Sequence, residues 1–287
     1  MNRIHFPSLV GGRHFPQTEL PEPTLAPFLN RLLKRSHLTR AEQQALLELP
    51  FQVTHVGRDR DFVCQGERPD HVSCVTSGLV ARFDQTAIGK RQITALYVPG
   101  DVPDLVTVVQ PSGGSALQAL CPTTILQVPR GALRRLASAH PGIAEAFWRD
   151  CAVDSLITAQ WVTNVGRRDA QSRIAHLLCE MAYRLEAPNE RGAVTFRLPM
   201  TQSQLADATG MTPVHVNRSL MSLAQIGLTF RSGRVTIDNW NALVQTAGFD
   251  VAYLQVAEAE PSCAILRPRP DASPANQTIT SVSLQSP

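Results

Sequence analysis

Two short helical patterns broken at one glycine, MTQSQLADATGMTPVHVNRSLMSLAQI from Met200 to Ile226, constrain this chain more than any other stretch. The first opens on a capping box, Thr201 with Gln204 three residues on, and turns Leu205 and Ala208 inward. Thr209-Gly210-Met211 ends it, because a tight turn between helices asks for a positive φ that glycine adopts without strain. The second pattern restarts at once, with Thr212 as N-cap and Pro213 at the first helical position. Val216, Leu220 and Leu223 share one side at spacings of four and three, which leaves Val214, His215, Asn217, Arg218, Met221 and Ser222 facing outward. This is the pattern of a helix-turn-helix.

A helix that reads DNA lies in the major groove with its first two turns at base edges, and the outward residues here suit that use. A helical hairpin inside a larger core has the same two-helix pattern, so the segment after Ile226 decides between them. Leu228-Thr229-Phe230 and Val235-Thr236-Ile237 flank the turn Arg231-Ser232-Gly233-Arg234, a hairpin by its turn chemistry. Ala193 to Leu198 can add a third strand. A helix-turn-helix with a cationic two-stranded ribbon is a winged helix, whose Arg231, Ser232 and Arg234 would lie along phosphates. Thr201 and Gln202, at the start of the first helix, join Thr212, Pro213, Val214, His215, Asn217, Arg218 and Ser222 as candidate DNA contacts. A winged helix that holds a protein partner and never touches DNA is the rival reading.

The charge distribution bears on this choice. The formal net charge is +3, yet residues 167 to 234 hold nine arginines against five carboxylates, and the rest of the chain is slightly acidic. The excess lies where phosphate contacts need it. Lys34 and Lys90 are the only lysines, and the planar arginine fork suits phosphate and guanine edges.

The 287 residues leave room for about two domains. Residues 1–24 form an arm without an apolar period. The next unit, 25–140, begins with the amphipathic LAPFLNRLL and a second helix opened by the capping box of Thr39 and Glu42. From Pro50 to Pro129, short runs such as HVSCVTSG, LVARFD and RQITALYV alternate with turns and predict a β-barrel or jelly roll, a shape suited to enclosing a small ligand. A short helix spans Arg130 to His140, and residues 141–166 form a long one. Its stripe of Ile143, Phe147, Val153, Ile157 and Trp161 fits packing on both the barrel and a twin helix. Gly166-Arg167-Arg168 is the hinge candidate, and Ala170 to Leu185 opens the winged-helix unit of 167–254 with Ile174, Leu177, Leu178 and Met181 inward. Asp238 caps a last helix, and 255–287 has the composition of a disordered tail. The fold class is α+β: an N-terminal jelly-roll barrel, a long dimerisation helix and a C-terminal winged helix-turn-helix.

Other chemistry has little to stand on. The six cysteines, at 64, 74, 121, 151, 179 and 263, form no CxxC pair, which argues against disulfides and structural zinc. His176 and Cys179 lie one turn apart without a second pair to complete a metal site. No GxSxG, Walker, GxGxxG or HExxH pattern occurs, so no enzyme is expected. No run reaches membrane-span length and the first residues lack a signal-peptide core, from which a cytoplasmic protein without membrane contact is expected.

A barrel, a long helix, a hinge and a winged helix in this order resemble the Crp/Fnr family of bacterial transcription regulators. The resemblance covers residues 25 to 254 and is carried by SGLVARF and GKRQITALYVPGD in the barrel, WVTNVGRRDAQSRIAHLLCEM across the hinge and PMTQSQLADATGMTPVHVNRSL in the reader. It implies a homodimer on a two-fold-symmetric double-stranded DNA site, with RNA polymerase as a further candidate partner. Thr212 resembles the family's phosphate-contacting cap, and Arg218 matches its later base- or phosphate-contacting arginine. Pro213 and Val214 stand where many members carry a base-reading arginine and glutamate. Arg167, Arg168 and Arg173 are the corresponding hinge and backbone contacts.

The barrel departs from the family pattern. Cyclic-nucleotide binders hold ribose with a Gly-Glu pair and phosphate with an Arg-Ser pair. Here Pro99-Gly100-Asp101 keeps the turn, while Ser112 to Leu117 contains no arginine. A buried phosphate needs a paired cation, so cyclic AMP is not expected. Gly100, Asp101 and Ser115 mark the candidate effector pocket, whose ligand is unassigned; a cyclic-nucleotide sensor with an unusual pocket is the alternative. Iron–sulfur members carry a compact N-terminal cysteine group, and no cysteine precedes Cys64. No cofactor is expected.

Overall fold

The computed structural model describes residues 23–111, 114–187, 189–190 and 192–254, with backbone only for Asn189 and Glu190. The arm except Pro23 and Thr24, Ser112 and Gly113, and the tail with Cys263 lie outside the described residues.

Two short helices precede the barrel. α1 (Ala26–Leu33) has Pro27 in its first turn and buries Phe28, Leu29 and Leu32. α2 (Arg40–Leu47) starts at the expected capping box, in which Thr39 accepts from the Glu42 N–H and Glu42 from the Thr39 N–H. Seven strands follow the predicted apolar runs: β1 (Gln52–Val56), β2 (Arg60–Val63), β3 (His71–Ser77), β4 (Val80–Gln85), β5 (Arg91–Tyr97), β6 (Ala116–Ala119) and β7 (Thr123–Pro129). They pair antiparallel in the orders β1-β7-β3 and β2-β6-β4-β5. Val63, Val75, Val80, Ala95, Tyr97 and Leu117 pack together as one apolar cluster drawn from both sheets. Gly78 carries the chain from β3 to β4 at φ 95°, and a Cβ there would lie 2.3 Å from Thr123 Oγ1, so the turn excludes every side chain.

α3 (Arg130–Ala139) leads into α4 (Pro141–Arg167), 27 residues and therefore about 40 Å long. The predicted apolar stripe of α4 is buried, but all of it is spent within the chain. Ile143 and Phe147 pack with α1 and α3, and the Phe28 and Phe147 rings stack with centroids 5.8 Å apart. Val153, Ile157 and Trp161 join a second core. The outward face carries a different row: Trp148, Ala152, Ser155, Ala159, Val162 and Gly166, spaced alternately by four and three. Trp148 is 71% exposed and Val162 68%.

Within the expected hinge, Gly166-Arg167-Arg168, the break falls at the last residue. α4 runs through Gly166 to Arg167, and the break comes at Arg168 and Asp169, both extended. Glycine inside a helix costs only about 1 kcal/mol, and neighbouring contacts outweigh that. The Trp161 indole donates to Glu180, and Asn164 Nδ2 donates to the Arg173 carbonyl at 3.1 Å. Asp169 then caps α5 (Ala170–Arg184) by accepting from the Gln171 and Ser172 N–H groups.

The winged helix continues with β8 (Asn189–Glu190), β9 (Ala193–Arg197), α6 (Gln202–Thr209), α7 (Pro213–Leu223), β10 (Leu228–Arg231), β11 (Arg234–Ile237) and α8 (Trp240–Ala247). The sheet order is β10-β11-β9-β8, with β9 as the expected third strand of the wing. Asn239 rather than Asp238 caps α8, accepting from the Ala242 N–H at 3.0 Å. Its side chain is one residue nearer the first turn and reaches the free N–H that Asp238 does not.

Barrel and reader share one core. Leu79, Ala81, Ile93 and Leu96 of the barrel cluster with Trp161 of α4, Leu178 of α5 and Leu205, Val216 and Leu220 of the helix-turn-helix. Polar contacts fix the same seam: Gln204 Nε2 donates to Asp59 Oδ1 at 2.8 Å, and Arg91 lies 3.9 Å from the Asp207 carboxylate.

Candidate nucleic-acid interface

The turn between α6 and α7 has the predicted chemistry. Thr201 and Gln204 form the reciprocal capping box, Gly210 ends α6 at φ 64°, and a Cβ there would meet Val165 at 3.0 Å. Thr212 accepts from the His215 N–H and Pro213 occupies the first turn of α7. Val216, Leu220 and Leu223 are buried, while Val214, His215, Asn217, Arg218 and Met221 are exposed and Ser222 is half-buried. Thr201, Gln202, Thr212 and Pro213 are exposed as well. Arg218 borders a groove between α7 and the start of α5, lined also by Gln171, Ser172 and Ser222.

The wing turns at Ser232 (φ 49°) and Gly233 (φ 70°), a pair of left-handed residues that matches strand twist in a two-residue hairpin. Arg231 and Arg234 face each other in register and are exposed. The Leu198 N–H donates to the Gly233 carbonyl at 2.9 Å, which holds the wing tip beside the entry to α6. Arg197 pairs in register with Arg234 and is exposed, a third wing arginine beyond the two expected from the sequence. The alternation of buried Val194 and Phe196 with exposed Thr195 and Arg197 was the available signal.

The three hinge arginines part company. Arg167 is exposed, and Arg168 is half-buried with a 3.5 Å contact to Gln160. Arg173 is spent inside, donating to the Thr209 carbonyl at 2.9 Å and to the Arg168 carbonyl at 3.0 Å. It ties the hinge to the end of α6 and is not a free phosphate contact. A side chain positioned to cap two carbonyls satisfies orphan acceptors that would otherwise be buried. His176 is buried against Phe249 and Tyr253, and burial lowers its imidazole to about 4; Cys179 is buried with its thiol pushed up to about 12.

The predicted effector residues do not come together. Ser115 lines a barrel cavity of about 190 Å³, with its hydroxyl donating to Asp84 at 2.8 Å. Gly100 lies against the Pro27 carbonyl, and Asp101 faces away from that cavity into a buried ion network. Asp101 pairs with Arg31 of α1 and with Arg184 of α5 at 2.7 Å. Arg31 also reaches Asp150 at 2.6 Å and Asp154 at 3.7 Å, and Arg184 reaches Glu180 at 2.9 Å. Burial would raise the Asp101 carboxyl, but Arg31, Arg184 and the Val98 N–H outweigh it and hold it below the ordinary value. Burial carries Asp154 the other way, to about 6, even beside Arg31. The cavity has its own cations: Arg68, Arg82 of β4 and Arg130 at the start of α3 line it beside the half-buried Asp104. None of the three lies near Ser112 to Leu117 in the sequence: Arg82 arrives on β4, Arg68 from the loop between β2 and β3, and Arg130 from the residue after β7.

Two family models match the chain. A cyclic nucleotide-binding domain covers residues 54–140 and a Crp-like helix-turn-helix domain covers 172–246. Transcriptional activator protein FnrL of Cereibacter sphaeroides is 26% identical over 73% of this chain and 86% of its own length. Transcriptional activator protein anr of Pseudomonas aeruginosa is 25% identical over 77% of the chain and 89% of its own. Among solved structures, FixK2 from Bradyrhizobium japonicum superposes with a TM-score of 0.62 at 27% identity, covering 69% of this chain and 98% of that one. CooA from Carboxydothermus hydrogenoformans shares the fold at a TM-score of 0.56 and 16% identity, over 76% of this chain and 95% of that one. A winged helix with an exposed cationic reading face, carried on a cyclic-nucleotide-type barrel, defines a DNA-binding transcription regulator. The chain belongs to the Crp/Fnr family.

Proposed function

We propose that the protein regulates transcription as a homodimer on a two-fold-symmetric DNA site, each α7 entering a major groove and each wing lying along the backbone. The observation that carries this reading is the exposed face of α7, with Arg218 free of any ion pair among the described residues and the wing arginines nearby. In this reading Thr201, Gln202, Thr212, Ser232, Arg231, Arg234 and Arg167 meet phosphates, and Val214, His215, Asn217, Arg218 and Ser222 face bases. Pro213 sets the helix entry. Gel shifts on genomic fragments across a salt series test it: retention at low salt that falls steeply with added salt is expected, and no retention at any salt would leave the protein-binding winged helix as the function. The two activator relatives support RNA polymerase as a further partner, which would set the protein to work in the cytoplasm.

The dimer rests on the outward row of α4. Apolar exposure of Trp148 and Val162 on a helix otherwise well packed, with Ala152, Ser155 and Ala159 between them at heptad spacing, fits a twin helix at close approach. Val162→Glu should raise the dimer dissociation constant at least about tenfold in sedimentation equilibrium, since two carboxylates would face each other across the axis. An unchanged constant would move the interface elsewhere.

The barrel is proposed to have left the cyclic-nucleotide mode. Asp101 is committed to Arg31 and Arg184, and a cavity of about 190 Å³ is below the roughly 300–1,000 Å³ of ordinary ligand sites. Arg68, Arg82 and Arg130 favour the second reading, a nucleotide sensor with phosphate cations drawn from new positions. Calorimetric titration with cyclic AMP and cyclic GMP separates the two. No heat is expected; micromolar binding that Arg82→Ala abolishes would establish the sensor.

A further inference from the structure

A larger cavity than the barrel's lies outside it, between barrel and reader. It measures about 580 Å³, within the range of sites that hold drug-sized ligands. Its walls come from both halves of the chain: Lys34 and Arg35 at and just after the end of α1, Val98 after β5, Ala182 of α5, Val194 of β9 and Trp240 of α8. The wall is mostly apolar, and the charged groups that face the cavity are Arg31, Lys34, Arg35 and Arg184 with Asp101 and Glu186. Asp150, Asp154 and Glu180 pair with the three arginines from behind the wall, which leaves Lys34 as the cation at the mouth.

The cations differ in how far they are satisfied. Arg31 is tied to three carboxylates. Arg35 Nη1 donates to Asp150 at 2.9 Å and Nη2 to the Leu254 carbonyl at 3.3 Å, while its Nε has no hydrogen-bond partner among the described residues. Arg184, with a side chain only 6% exposed, likewise leaves its Nε unpaired among the described residues. Lys34 stands at the rim, paired with the largely exposed Glu186. Burial, then the like charges of Arg35 and Arg31, push its ammonium below the ordinary value. An anion entering there would relieve that repulsion.

We propose that this cavity binds a small amphipathic organic anion, its charged end against Lys34 and Arg35 and its apolar body against Val98, Val194 and Trp240. Such a ligand would touch barrel and reader at once, so the chain would carry an effector site separate from the barrel interior. The proposal does not depend on DNA binding and is tested without DNA.

The full chain is titrated with anilinonaphthalene sulfonate, an aromatic anion that fluoresces in apolar surroundings. Saturable binding of one probe per chain is expected, displaced by octanoate and not by octylammonium. Lys34→Met should weaken it about tenfold, the loss of one charge-assisted contact. Ala187→Trp, which fills the cavity from a half-buried loop position, should abolish it. Circular dichroism melts establish that both variants fold, and Lys34→Met, altering a half-exposed side chain, carries the test if Ala187→Trp does not. Displacement by octylammonium as readily as by octanoate would overturn the proposal. So would full binding in Lys34→Met, or loss of binding in Arg82→Ala, which alters the barrel cavity instead.

Discussion

Asp101→Ala should cost the folded chain about 3–5 kcal/mol, the range for removing one partner of a buried ion pair. The carboxylate is 1% exposed and accepts from Arg31, from Arg184 at 2.7 Å and from the Val98 N–H at 2.8 Å. Without it, two buried guanidiniums remain in an interior that penalises unpaired charge. Arg31 keeps Asp150 and Asp154, and Arg184 keeps Glu180, so the loss falls short of stranding either completely. Asp101→Asn should cost less, since the amide oxygen still accepts a hydrogen bond although the charge is gone. The pH dependence has a definite sign. The Asp101 carboxyl is held below its ordinary value, so its contribution is complete above the unfolded pKa of about 3.9 and is lost as pH falls through the lower folded value. Urea unfolding at neutral pH should therefore separate variant from wild type, with the gap closing in acid. A difference under about 1 kcal/mol at neutral pH would mean that the network is incidental to stability.

Arg218→Ala should weaken binding to the specific DNA site by about 1–3 kcal/mol, or roughly 5- to 150-fold. The side chain is exposed and makes no ion pair among the described residues, so folding stability should move by no more than about 0.5 kcal/mol. Two roles are separable by pattern. A bidentate guanine contact relaxes preference at one base pair of a randomised site pool, whereas a phosphate contact weakens all sequences alike and lowers the salt slope by about one. Arg231→Ala and Arg234→Ala, on the wing, should follow the second pattern. If Arg218→Ala binds its site as wild type does, α7 does not read through that residue.

Local features of this fold were legible in the sequence, and long-range assembly was not. Capping boxes at Thr39 and Thr201, the αL glycine at 210 and the seven barrel strands follow from residues close in the chain, where propensity and turn chemistry act. The α4 stripe of Ile143, Phe147, Val153, Ile157 and Trp161 was equally visible, but periodicity identifies a buried face without naming what covers it. It is covered by the same chain, and the outward row, in which only Trp148 and Val162 are large and apolar, is broken by Ala152, Ser155, Ala159 and Gly166 and carries no stripe of its own. Arg31, Asp101 and Arg184 are separated by 70 and 83 residues, and no spacing rule joins them. The same holds for the arginines of the barrel cavity: Arg82 reaches it from β4, beside the Tyr97 ring at 5.6 Å, and not from the Ser112 to Leu117 segment. At the hinge the helix breaks at Arg168, the last residue of the expected Gly166-Arg167-Arg168, because tertiary hydrogen bonds across α4 and α5 carry it past the glycine.

The core that barrel and reader hold in common limits how this regulator can be recombined. Leu79, Ala81, Ile93 and Leu96 present their apolar side chains to the reader rather than to water. A chimera that transplanted the reader alone onto a relative's barrel would bring a surface shaped for these four residues, and the foreign barrel would have to supply their equivalents. The unit that can be exchanged intact is therefore larger than the DNA-reading domain and includes one face of the barrel.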